Sequence, residues 1–165
     1  MAHLVAGLFH DSESAGRAVA ELKQQGFTQD MSVISRDYDD PEGKIHNVKH
    51  DVSQGAKGGA VFGAAAAGIT ALIAGLSSIT IPGLGLIVAG PLASVLTAAA
   101  GGAAAGGVVG ALADYGIPDT QAKEFQQGIL AGDVVVAVST DHDKEQQVEE
   151  ILDQYGVDEV AIGHK

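Results

Sequence analysis

Residues 58–113, GGAVFGAAAAGITALIAGLSSITIPGLGLIVAGPLASVLTAAAGGAAAGGVVGALA, run for 56 residues without one Asp, Glu, Lys, Arg, His, Asn or Gln. Thirty are Gly or Ala and 18 are Val, Ile, Leu or Phe, so the run is too long and too apolar for a surface loop. Whatever buries it sets the architecture.

Helical periodicity predicts a hairpin over residues 53–113. A first helix from about Ser53 to Leu76 carries Gly59, Gly63, Ala67, Ala71 and Gly75, and a second from about Pro91 to Ala113 carries Ala98, Gly102, Gly106 and Gly110, in both cases at intervals of four. Such ladders of small side chains allow two helices to approach closely, as in a glycine zipper. Pro82, Gly83 and Gly85 mark the turn between them. At 1.5 Å per residue the helices would reach roughly 36 and 34 Å, enough to span a bilayer core of about 30 Å. Three burials remain open on these grounds: insertion in lipid, a water-soluble multimeric bundle, and a monomeric packed hairpin. The uncharged tip and the abundance of alanine weigh against lipid; the missing polar face weighs for it.

Outside the run, both ends read as strand, helix, strand. Leu4 to Phe9 precedes a helix capped by Asp11 or Ser12, with Ala15, Ala18, Val19 and Leu22 on one face and Gly26 at its end, and Met31 to Ser35 follows as a strand. Val134 to Ser139, a helix carrying Val148, Ile151, Leu152 and Tyr155, Gly156 and Val160 to Ile162 repeat the plan, with Asp11, Leu22 and Gly26 falling on Asp141, Leu152 and Gly156 at an offset of 130. Two such units predict an α+β fold: a ferredoxin-like four-stranded antiparallel sheet with both helices on one face. The hairpin and an extra helix, about Pro118 to Leu130, are inserted between strands two and three. In that extra helix Ala122, Phe125, Ile129 and Leu130 are the candidate buried positions. The division is thus 1–52 for the first half and a linker, 53–113 for the hairpin, and 114–165 for the extra helix and second half.

Charge narrows the function. Nine Lys and Arg against 21 Asp and Glu give a net charge of −12, and no basic patch offsets it, so nucleic acid is not expected as a partner. The absence of Cys removes disulfides, thiol catalysis and cysteine metal knuckles. Met1 to Phe9 has no basic start and is followed by Asp11 and Glu13, unlike a cleavable signal peptide.

The segments LVAGLFHDSESAGRAVAELKQQGF (4–27), MSVISRD (31–37), IPGLGLIVAGPLA (81–93), GGAAAGGVVGAL (101–112) and YGIPDTQAKEFQQGILAGDVVVAV (115–138) together resemble the bacterial general-stress and low-temperature-induced protein family, with its heat-induced stress protein-like domain. The resemblance covers nearly the whole chain. It implies a role in adaptation to heat, cold or general stress, and it carries over no catalytic residue, because that family has no established catalytic mechanism.

The remaining motifs are weak. His46, His50 and Asp51 lie in a Pro- and Gly-containing linker without the spacing of a zinc motif, and Asp37, Asp39, Asp40 and Glu42 lack the full oxygen cage of a calcium loop. His3, His10, His142 and His164 are dispersed and read as solvent-facing. The acids Asp141, Asp143, Glu145, Glu149, Glu150 and Asp153 read as a hydrated helix face. No catalytic residue, metal or cofactor is assigned. The expectation is a noncatalytic general-stress adaptation protein acting through membrane association and self-assembly of its hairpin, its acidic domain in the cytoplasm. Its expected partners are further copies of itself, a lipid bilayer or a hydrophobic protein. The alternative is a cytoplasmic soluble homo-oligomeric assembly or partner-binding protein.

Overall fold

The computed structural model describes residues 3–36, 78–81, 85–100 and 107–164. In chain order these form β1 (His3–Phe9), α1 (Ser12–Gln24), β2 (Met31–Arg36), β3 (Ser78–Ile81), β4 (Leu86–Ala89), α2 (Leu92–Ala100), α3 (Gly107–Asp114), α4 (Asp119–Ala131), β5 (Val134–Thr140), α5 (His142–Gln154) and β6 (Glu159–His164). All six strands join one antiparallel sheet in the order β3-β4-β2-β5-β1-β6.

This corrects the four-stranded ferredoxin-like sheet. The two additional strands come from the segment read as the tip of a helical hairpin, where SITI and LIVA flank the Pro82–Gly85 stretch. β-Branched side chains on either side of a Pro/Gly turn favour a β-hairpin over a helix end, and β4 continues the sheet by pairing Val33 with Ala89 and Arg36 with Leu86. Gly85 lies just before β4 at φ 61; Pro82 and Gly83 lie outside the described residues.

The sheet is covered on both faces. On one, α1 and α5 bury Ala15, Ala18, Val19, Leu22, Val148 and Leu152 against Val5, Phe9, Val134, Val136 and Val138. On the other, α2, α3 and α4 bury Leu92, Leu96, Val108, Leu112, Phe125 and Ile129 against Leu4, Leu8, Ile34, Val88 and Val135. Burial on both sides accounts for the unbroken apolar sequence of β5, VVVAV, where a sheet with one wet face would alternate polar and apolar residues. Leu130, expected to help seal the sheet, is instead 52% exposed.

The second long hairpin helix is also corrected. α2 and α3 pack against each other, which no single straight helix permits, since the seven steps from Ala100 to Gly107 would separate their nearest ends by about 10.5 Å. Of the seam expected through Ala98, Gly102, Gly106 and Gly110, Gly102 and Gly106 lie outside the described residues. No described helix is long and apolar enough to cross a membrane. The physical reason lies in Leu86, Val88, Leu92, Leu96, Val108 and Leu112: each is buried in the chain's own core, at roughly 1.5–3 kcal/mol per large side chain. With those side chains occupied, the expectations of membrane association, of hairpin-driven homo-oligomerisation and of a lipid or hydrophobic protein partner lose their basis. The membrane-associated location falls with them.

Candidate functional site

The antiparallel register brings the first residue of β1 beside the last of β5 and β6: His3 lies opposite both Thr140 and His164. α5 begins two residues after Thr140, so its first turn stands over the same rim and adds His142 and Glu145, three apart on one helix face. Four side chains from the beginning and end of the chain thus meet. His3 Nδ1 is 2.7 Å from Glu145 Oε2 and 2.8 Å from His164 Nδ1, while His142 Nδ1 is 3.4 Å from Glu145 Oε2. The His3 ring meets that of His164 edge-on at 4.6 Å between centroids, and that of His142 lies 5.3 Å away.

His3 and Glu145 are largely buried, at 14% and 15% side-chain exposure, whereas the His142 side chain is 81% exposed. Burial raises the Glu145 carboxyl, but hydrogen bonds with His3 and His142, and the charges of His3 and His164, outweigh it and hold the group below the usual carboxylate range. Its place in the first turn of α5, where unpaired backbone N–H groups present positive potential, also suits an anion. An open hollow of about 450 Å³ adjoins the cluster, lined by His142, Asp143, Glu145, Gln146 and Glu149. This is an acidic mouth leading to imidazole nitrogens.

A second polar cluster occupies the opposite rim. The backbone N–H of His10 donates to Asp158 Oδ2 at 2.8 Å, and its Nδ1 is 3.0 Å from Asp133 Oδ2. The hydrogen bond to Asp133, then the charges of Asp133 and Asp158, raise the His10 pKa above its ordinary value. This arrangement clamps the end of β1 to the starts of β5 and β6. Nearby on β6, burial and then the hydrogen bond and charge of Glu124 push up the Glu159 carboxyl.

Of the small residues singled out from the sequence, Ala98 and Gly110 are among the described ones. Ala98 lies in α2 and Gly110 in α3, where an added Cβ would meet no atom within 4 Å. Gly59, Gly63, Ala67, Ala71, Gly75, Gly102 and Gly106 lie outside the described residues, as do His46, His50, Asp51 and the acids Asp37, Asp39, Asp40 and Glu42. Of the four histidines read as dispersed and solvent-facing, His3, His142 and His164 converge, while His10 lies at the opposite rim. One signal was visible, the His142-x-x-Glu145 spacing in a first helical turn; the arrival of His3 and His164 beside it depends on strand order.

Architecturally, then, the protein is an α+β fold with one antiparallel sheet closed on both faces and its polar groups gathered at the strand ends. The chain belongs to DUF1269, a family of proteins of unknown function, whose model matches residues 74–162, more than half of its length. That span includes His142 and Glu145 but ends before His164. No curated protein and no solved structure matches the chain.

Proposed function

We propose that this chain is a noncatalytic binding protein that recognises a partner at the rim formed by His3, His142, Glu145 and His164. The observation that carries this reading is the convergence of four polar side chains from three elements at one accessible rim, on a sheet whose two faces are already filled. Binding then happens at the strand ends, where backbone geometry holds His3 and His164 side by side. A setting in stress adaptation rests on the sequence resemblance alone.

Site-specific photo-crosslinking in cells tests it. Gln146, exposed beside the cluster, and Gln127, exposed on α4, are replaced in turn by a photoreactive residue. A discrete, saturable adduct from position 146 and none from 127 is the expected result. No adduct from 146, or the same adducts from both positions, would remove the rim as the binding surface.

A further inference from the structure

We propose that His3, His142 and Glu145, with His164 beside them, form a binding site for a divalent transition-metal ion of the zinc class, an inference that rests on the reading of this rim as the binding end of the molecule. One ligand atom from each of His3, His142 and Glu145 lies within 4.8 Å of the other two, and His164 stands beside them, its Nδ1 2.8 Å from His3 Nδ1. Zinc bonds of about 2.0–2.2 Å in a tetrahedron place neighbouring donors roughly 3.3 Å apart. The His3–Glu145 and His142–Glu145 separations of 2.7 and 3.4 Å bracket that spacing.

Proton accounting points the same way. His3 Nδ1 faces both a carboxylate oxygen and another imidazole nitrogen, yet one ring nitrogen carries either a single proton or a single lone pair. As a donor to Glu145 it can meet the His164 Nδ1 lone pair only by sharing the same proton in a weaker three-centre hydrogen bond; as an acceptor from His164 it presents its lone pair to the carboxylate. A cation at the meeting point accepts all of these lone pairs together. Two imidazoles and one carboxylate suit zinc, and they are a poor match to calcium or magnesium, which favour shells of oxygen.

The surroundings favour a cation. Asp143 and Glu149 line the adjoining hollow, and the chain carries a net charge of −12. Three protein ligands leave one position of a tetrahedral shell for a donor from the bound partner.

The test uses the untagged full chain, freed of metal, titrated calorimetrically with Zn²⁺ and separately with Mg²⁺, with Co²⁺ as a spectroscopic probe. One Zn²⁺ per chain, no response to Mg²⁺ and the intense visible bands of four-coordinate cobalt are expected. His142→Gln alters an exposed side chain and leaves folding intact, yet it should weaken Zn²⁺ by at least the ~10- to 100-fold that loss of a second-shell partner costs. Glu145→Gln should do the same, while His10→Gln, at the opposite rim, should not. Binding unchanged in both His142→Gln and Glu145→Gln, or abolished by His46→Gln/His50→Gln instead, would overturn the assignment. An absence of Zn²⁺ binding alongside a specific adduct from position 146 would overturn the metal site and leave the binding reading standing. Tight Zn²⁺ binding with no adduct would do the reverse.

Discussion

A methyl group on Gly163 would lie 2.9 Å from the carbonyl carbon of Tyr115, so β6 and the turn after α3 touch backbone to backbone. The contact is reciprocal: Gly116 sits at φ 86, and a Cβ there would come within 2.8 Å of His164 N. The turn after α3 thus braces the edge strand that delivers His164 to the rim. Gly163→Ala is expected to destabilise the fold by about 1–3 kcal/mol through overpacking, measured as a lower urea midpoint, and to weaken Zn²⁺ binding as His164 is displaced. A wild-type midpoint would show that the turn moves freely away from β6.

Capping separates the two similar helices. Asp11 accepts a hydrogen bond from the backbone N–H of Ser14 at 2.7 Å, whereas Asp141, at the corresponding position before α5, makes no capping hydrogen bond with its side chain. Asp11→Ala should therefore cost about 1 kcal/mol and Asp141→Ala less, by chemical denaturation at neutral pH. The Ser14 hydrogen bond holds the Asp11 carboxyl below its ordinary value. Its stabilisation is present above the unfolded-state pKa and disappears as pH falls through the lower folded one, so the gap between wild type and Asp11→Ala should close in acid.

His10 has the opposite sign. Its pKa is raised in the folded protein, first by the hydrogen bond to Asp133, so its contribution is complete below the unfolded value of about 6.5 and is lost as pH rises through the folded pKa. In an NMR titration the His10 midpoint should fall on Asp133→Asn, and the stability of His10→Gln should approach that of wild type in alkali. A His10 midpoint unaffected by Asp133→Asn would exclude the clamp in solution.

Each face of the sheet carries its own core. Phe125 and Leu152 are fully buried on opposite sides, so Phe125→Ala should cost about 3–5 kcal/mol and Leu152→Ala about 2–5 kcal/mol. Leu130, on the same helix as Phe125 but 52% exposed, should tolerate alanine within ~0.5 kcal/mol. A large loss at Leu130 by thermal or urea unfolding would mean that this face is covered in solution.

Much of the local structure was written in short-range pattern. The helical stripe Ala15, Ala18, Val19, Leu22, its counterpart Val148, Ile151, Leu152, and the continuous Val134 to Val138 run can be read from spacing, because side-chain periodicity of 3.6 or 2 is a property of neighbouring residues. The apolar run likewise declared that it must be buried. What it is buried against was not local information: Leu92, Leu96, Val108 and Leu112 look alike whether they face lipid, another copy or the chain's own sheet. The tertiary structure decided that, by turning residues 78–89 into two further strands and folding α2 and α3 over the second face. The rim divides in the same way. His142 and Glu145 share a helical turn, a spacing present in the sequence although each was read there as solvent-facing, while His3 and His164, 161 residues apart, become neighbours only because β1 and β6 run antiparallel with matched ends.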